Sequence, residues 1–518
     1  MTEIPGYGPR ILNLVEAAEY IRVSKKTLGE MAHQGQLPCN KVGREWRFLR
    51  SALEDWLKGT GERGPARNQT GQQILRASHR PELFEKSGFR DTAFAQNKNE
   101  PVHRWTPWIA GFSSSFVQGV FDALLPKGNS RKRVLDPFAG VGTTLIEGLK
   151  CGYDIAGFEI NPYAYLACKV KSGSTGISPQ VLNKRIENYK AFMKESLRKN
   201  KAPKSSPPAG FKSREVFFSP KVENKVLFTL DFISGRKEEW ARDIFKLALG
   251  GVMVSFSNYS YEPSLGRRSS SGKPGIADAD VPNILSNKLS EFVADIGYLK
   301  SITDRNDRNA DISLFNQSYL DMNGELAPRS IDILVTSPPY LNNYHYVRNT
   351  RPHLYWLDLG VDQAMMKKLE TTSFGKYWQT VRSAPVIRPE FEIEGPREII
   401  RQLRKINTDK GAYGGHGWAN YATAYFNDCV KFLAKTKQVM KKGAPVVVVI
   451  GNNILQGIEI KTDVFFAQIG EQMGYKTIDI HKVRTKRTGS SIVNSSVRTA
   501  SKGRAAELYE SAVELRAP

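Results

Sequence analysis

The passage RVLDPFAGVGTTLIEGL, Arg133–Leu149, places a short apolar run, a glycine-rich turn and an amphipathic segment in immediate succession. Strand, tight turn and helix follow from that order. Gly140 and Gly142 free the backbone to turn sharply and approach a ligand. The amides of Val141 to Thr144 then face that ligand from a helix N-terminus. The next run, YDIAGFEINP (Tyr153–Pro162), reads as a second strand. It sets Glu159 roughly 20 residues beyond the turn, where a carboxylate can accept hydrogen bonds from both hydroxyls of a ribose. Alone, these two features fit any Rossmann-like nucleotide site, a dehydrogenase included.

From His103 onward, short β-rich runs alternate with helical segments: KRVLDPF, YDIAGFEI, DISLFNQ, IDILVTS, APVVVVIGN, YKTIDIHKV and a last strand, LYESAVELR. That alternation predicts an α/β domain, a mostly parallel sheet covered by helices. The fourth run continues as ILVTSPPYLNNYHYVRN (Ile333–Asn349), where Ser337-Pro338-Pro339-Tyr340 ends a buried strand in a rigid corner with an aromatic at once behind it.

DPFAGVGTT resembles the S-adenosylmethionine loop of the amino-group DNA methyltransferases more closely than a dinucleotide loop. The resemblance covers most of residues 101–518 and implies a Rossmann-like methyltransferase domain with S-adenosylmethionine as cofactor. It places Asp136 and the loop residues Ala139, Gly140, Gly142, Thr143 and Thr144 at the amino-acid end of that cofactor, with Phe138 packed nearby. Glu159 would hold the ribose, and Ile160, Asn161 and Pro162 would flank the adenine. Upstream, the aromatic segment with Trp105, Trp108 and Phe112 would close over the methionine part, or else pack a domain edge. The strand DISLFNQ departs from the pattern: an acid is expected at its end, and Asn316 and Gln317 stand there, with Gln317 assigned to the cofactor.

SPPY is similar to the catalytic motif of the cytosine-N4 enzymes of that family; adenine-N6 relatives more often carry Asp or Asn in the first position. The chemistry explains the residues. The lone pair of an exocyclic amine is delocalised into the base, so acceptors that bond its hydrogens let the nitrogen pyramidalise and attack. Those acceptors must be fixed beforehand, because misplacement by about 1 Å costs on the order of a hundredfold in rate. Ser337 Oγ and the Pro338 carbonyl are the expected acceptors, Pro338 and Pro339 the source of rigidity, and the Tyr340 ring a stacking face for a flipped base. The other readings are adenine-N6 methylation, methylation of an RNA base amine, and a DNA-binding regulator whose methyltransferase fold is idle. A cytosine-5 mechanism needs a Pro-Cys after the glycine loop, and the only Pro-Cys is Pro38-Cys39, upstream of it.

A chain of 518 residues has room for more than one domain. Residues 10–58 read as helix, turn, helix and hairpin. They resemble the excisionase-like winged helix-turn-helix family, which implies DNA contacts from Lys25, Lys26 and Thr27 on the second helix and from Arg44, Trp46 and Arg47 on the wing. Residues 59–99 read as a linker, and 100–518 as the methyltransferase domain, with an insertion at about 171–309 and a second one after the catalytic strand. Lys and Arg outnumber Asp and Glu by 75 to 52, and the resulting charge of +23 favours a polyanion, double-stranded DNA above all. The four cysteines are scattered, so neither a metal site nor a disulfide framework is expected. No apolar run reaches the roughly 20 residues of a membrane span, and a cytoplasmic protein is expected. A partner restriction endonuclease is suggested by family analogy only.

Overall fold

The computed structural model describes residues 11–53 except 22, 34–36, 38, 43–44 and 50–52. It also describes 97–518 except 109–110, 126–130, 200, 262–263, 305–309, 342–345, 361 and 487–507. The chain divides into two compact units, Met1–His79 and Arg80–Pro518.

The first unit runs β1 (Ile11–Leu12), α1 (Leu14–Tyr20), α2 (Lys25–His33), β2 (Asn40–Val42) and β3 (Glu45–Leu49). Asn13 caps α1 through the amides of Val15 and Glu16, and Glu16 returns the bond to the Asn13 amide, a reciprocal capping box. Ser24 caps α2, its Oγ accepting from the Thr27 amide at 3.0 Å. β3 pairs antiparallel with both β1 and β2, and Phe48 from it packs with Ala17, Leu28 and Ala32 into a small core. The two-residue strand β1 carries too short a pattern to be read in advance. The helix expected after Ser51 lies outside the described residues apart from Leu53.

The second unit is built on a seven-stranded sheet. Its strands are β4 (Arg133–Asp136), β5 (Asp154–Phe158), β8 (Ile312–Phe315), β9 (Ile333–Thr336), β10 (Pro445–Gly451), β13 (Lys476–Lys486) and β14 (Leu508–Arg516). Two small ribbons lie outside it, β6 (Tyr259–Tyr261) with β7 (Leu265–Arg267), and β11 (Asn453–Leu455) with β12 (Ile458–Ile460). The order across the sheet is β13-β14-β10-β9-β4-β5-β8, parallel from β10 to β8, with β14 antiparallel to both its neighbours. The chain winds outward from β4 through β5 to β8, then returns to the other side of β4 with β9. That reversal opens a crevice at the carboxyl ends of β4 and β9.

β10 is buried along its whole length, as its Val-rich run requires between two layers of helices. Helices 143–150 and 114–124 cover the sheet near β4, and helices 415–439 and 462–472 cover it near β10. Lys171, taken as the start of the insertion, lies inside the helix Pro162–Gly173 that follows β5, so the inserted structure begins beyond that helix. It consists of the helices Pro179–Arg198, Pro220–Ser234, Glu239–Val252 and Val281–Thr303 with the β6–β7 ribbon. They share one apolar cluster with the helices that flank the glycine turn.

Gly148 sits where helix 143–150 crosses the sheet. A Cβ there would lie 2.9 Å from Ile155 Cγ2 and 3.6 Å from Val134 Cγ2. Gly148→Ala is therefore expected to lower stability by about 1–3 kcal/mol, seen as a lower thermal midpoint, because a well-packed interior cannot absorb an added methyl. An unchanged midpoint would show that the helix can lift.

Candidate functional site

The crevice at the head of β4 and β9 is a cavity of about 450 Å³. Asp136, Phe138, Ala139, Gly140, Thr143, Glu159, Ile160, Asn161 and Gln317 line it together with Ser337, Pro339 and Tyr340. Three expected site residues stand behind the wall. Gly142 turns at φ 87° against Cys168, the Thr144 hydroxyl donates to the Val335 carbonyl at 3.2 Å, and Pro338 is buried.

The glycine turn brings its backbone up to the cavity at Gly140. Gly140 has φ 53°, and a Cβ there would come within 3.4 Å of the Trp108 indole nitrogen. Trp108 and Phe112 also line the cavity, so the upstream aromatic segment does reach the site.

Glu159 stands half-buried at the end of β5. Its two oxygens accept from the Gly140 amide at 2.8 Å and the Asn161 amide at 2.7 Å. Burial pushes its carboxyl up to about 7, against the pull of those amides. Asp136, at the end of β4, is likewise raised by burial to about 6, opposed by hydrogen bonds from Thr336, the Phe138 amide and Thr144. The Thr336 hydroxyl reaches Asp136 Oδ1 at 2.5 Å across the β4–β9 pair. Asn161 caps helix 162–173, and its Nδ2 donates to Thr350 Oγ1 at 2.7 Å, linking the end of β5 to the helix Tyr346–Trp356 beyond the Ser337–Tyr340 corner. Asn316, placed where an acid was expected, bonds the Glu159 carbonyl at 2.7 Å, whereas Gln317 lines the cavity and donates to Glu325 at 2.5 Å.

At the other end, the Tyr340 ring lies against Gly451, where a Cβ would come within 3.2 Å of it, and its hydroxyl donates to Glu510 Oε1 at 3.4 Å. Burial and the Glu510 charge raise that phenol well above its ordinary value. Sequence reasoning did not single out Glu510, Arg484 or Tyr421, which close this side. Phe374, Lys376 and Tyr377 come from the second insertion. Only the insertion itself was a signal for them; the others arrive from strands and a helix far along the chain.

In the first unit Lys25, Lys26 and Thr27 are exposed on the first turn of α2, with Thr27 Oγ1 2.7 Å from Ser24 Oγ. Arg47 pairs with Glu45 at 2.5 Å, and Trp46 is half-buried against the small core. Arg44 lies outside the described residues.

Strand order, glycine cradle and acidic strand end define a methyltransferase fold that takes S-adenosylmethionine as donor. The cavity fits that group: a backbone turn at Gly140, a carboxylate beside it at Glu159, and a volume in the usual ligand range. The chain is 24% identical to the type II methyltransferase M.BsoBI of Geobacillus stearothermophilus over 82% of its own length and 89% of that protein. It is 24% identical to M.AvaI of a Nostoc species over 82% and 88%, and 21% identical to M.MvaI of Kocuria varians over 76% and 84%. Residues 11–61 match the family described as a helix-turn-helix domain. Among solved structures, the rRNA methyltransferase aviRa of Streptomyces viridochromogenes covers 79% of this chain and 86% of its own, at 10% identity and a TM-score of 0.29, too loose a fit to bear on the argument. Among the described residues no helix is long and apolar enough to cross a membrane.

An unfolded glutamate ionises near 4.5, and burial pushes the Glu159 carboxyl up to about 7. The contribution of this group to stability therefore falls as pH rises through that window. Affinity for S-adenosylmethionine is expected to increase as pH rises through about 7, where Glu159 becomes an acceptor for ribose hydroxyls. Glu159→Gln should weaken it by about 10- to 100-fold and flatten the profile, measured by calorimetric titration across pH. A wild-type profile without slope would remove Glu159 from the donor site.

Proposed function

We propose that the protein is a site-specific DNA methyltransferase that modifies the exocyclic N4 amine of a cytosine flipped out of the duplex. The observation that carries this reading is the meeting of Ser337, Pro339 and Tyr340 with Gly140 and Glu159 in one cavity. The type II methyltransferase relatives support DNA as the substrate, and the serine in SPPY supports cytosine N4.

Asp136, the Gly140 turn and Glu159 would hold S-adenosylmethionine, which supplies an electrophilic methyl when bound. Ser337 Oγ accepts a hydrogen bond from the target amine and turns its lone pair out of conjugation. The paired prolines keep that acceptor from drifting, since neither can rotate about φ. Tyr340 offers its ring face to the base, offsetting part of the unstacking cost. Phe138, Phe374 and Tyr377 add an aromatic wall to the same cavity.

The helix-turn-helix unit would bring the enzyme to its site, with Lys25, Lys26 and Thr27 at the front of α2 and Arg47 on the hairpin. The charge of +23 makes that association strongly salt-dependent. A companion restriction endonuclease fits the type II naming of the relatives.

DNA from cells expressing the protein, digested to nucleosides and analysed by mass spectrometry, should contain N4-methylcytosine. N6-methyladenine would transfer the reading to adenine, and unmodified DNA with retained sequence-specific binding would make the protein a regulator. Tyr340→Ala should lower turnover on the order of a hundredfold while donor affinity changes little. An equal loss of donor affinity would place Tyr340 in the other half of the cavity.

A further inference from the structure

The inserted helices meet the donor side of the cavity through one buried carboxylate. Asp295, on helix Val281–Thr303, is 2% exposed and accepts from four donors of a single turn. These are the Val102 amide at 2.8 Å, Arg104 Nε at 3.1 Å and Nη2 at 2.6 Å, and Trp105 Nε1 at 2.9 Å. The same helix stacks Phe292 on Trp105, ring centroids 4.0 Å apart, and sends Lys288 Nζ to the Arg104 carbonyl at 2.8 Å. From helix Glu239–Val252, Gly251 lets the Trp105 carbonyl approach so closely that a Cβ would stand 2.5 Å from it.

The turn gripped in this way is strained. Val102 has φ 68°, a left-handed conformation that a β-branched residue adopts only when its surroundings over-determine it. It is also tied to the donor loop. His103 Nε2 lies 2.6 Å from Glu147 Oε1 on the helix that leaves the glycine turn. The buried Lys171 bonds both the Val141 carbonyl at 3.0 Å and the His103 carbonyl at 3.4 Å. A few residues further along, Trp108 and Phe112 enter the cavity wall, with the Trp108 nitrogen closing on Gly140.

We infer that the insertion is part of the donor site, with Asp295 the positioning residue that holds the Val102–Trp105 turn so that Trp108 and Phe112 close the S-adenosylmethionine pocket. The inference rests on the donor occupying this cavity. Asp295 touches neither donor nor base; it acts through the turn. A carboxylate suits the task because one group satisfies a strained amide, an indole and a guanidinium together.

Asp295→Asn keeps the size and removes the charge and one acceptor oxygen. Calorimetric titration of the variant with S-adenosylmethionine is expected to show affinity weakened by at least about tenfold, as small displacements of positioning groups do. Its KM for the donor should rise in parallel, with turnover at saturating donor and affinity for DNA nearly unchanged. Trp105→Phe, which keeps the stack and deletes one N–H, should shift donor affinity in the same direction by a smaller factor, and it serves if Asp295→Asn does not fold. Glu159→Gln in the same titration separates two failures. If Glu159→Gln loses affinity while Asp295→Asn and Trp105→Phe bind like wild type, the cavity reading stands and the insertion is mere scaffold. If all three bind like wild type, the donor is not in this cavity.

Discussion

The pairing of β4 with β9, locked by the hydrogen bond from Thr336 to Asp136, is the constraint on which the site depends. Those two residues end adjacent parallel strands. One leads into the glycine turn, the other into Ser337 and the paired prolines. Val134 and Ile333 pack into one apolar cluster and Leu135 and Leu334 into another, so the pair is clamped inside the core and is not free to move. The distance between the glycine turn and the Ser337–Tyr340 corner is therefore a property of the sheet core. That suits a reaction between two bound groups, in which fixed spacing does much of the catalytic work.

Around that fixed point, electrostatics are arranged for ligands. Asp136 is buried and Glu159 half-buried, and burial resists the ionisation of both. Tyr340 lies between Gly451 and Glu510, its ring in the cavity. Groups held at a desolvation cost in an otherwise apolar setting mark places where function overrides stability. The Val102 turn adds backbone strain to the same account.

Much of this was legible in the sequence because the signals were local. Strand, glycines and helix lie within Arg133–Leu149, and Glu159 falls on the very next strand. The capping serine of α2 stands one residue before its helix. Strand order was not legible, since β14 inserts between β10 and β13 through pairings that no short window contains. The donors of Asp295 lie 190 to 193 residues away from it in the chain, and a lone acid on a long helix has no local pattern to mark its role. Asn316 shows the converse. It stands where an acid near the cofactor adenine was expected, and its amide braces the Glu159 carbonyl. Position along a strand fixes which end of the sheet a residue reaches, and the neighbouring chain decides where its side chain turns.

The most direct test of the account is a structure of the protein with S-adenosylhomocysteine and a duplex carrying its target site. The account predicts an extruded cytosine stacked on Tyr340, its amine hydrogen-bonded to Ser337 and facing the sulfur, with the ribose held by Glu159. A cytosine still stacked in the duplex, or a cofactor lodged away from the Gly140 turn, would contradict it.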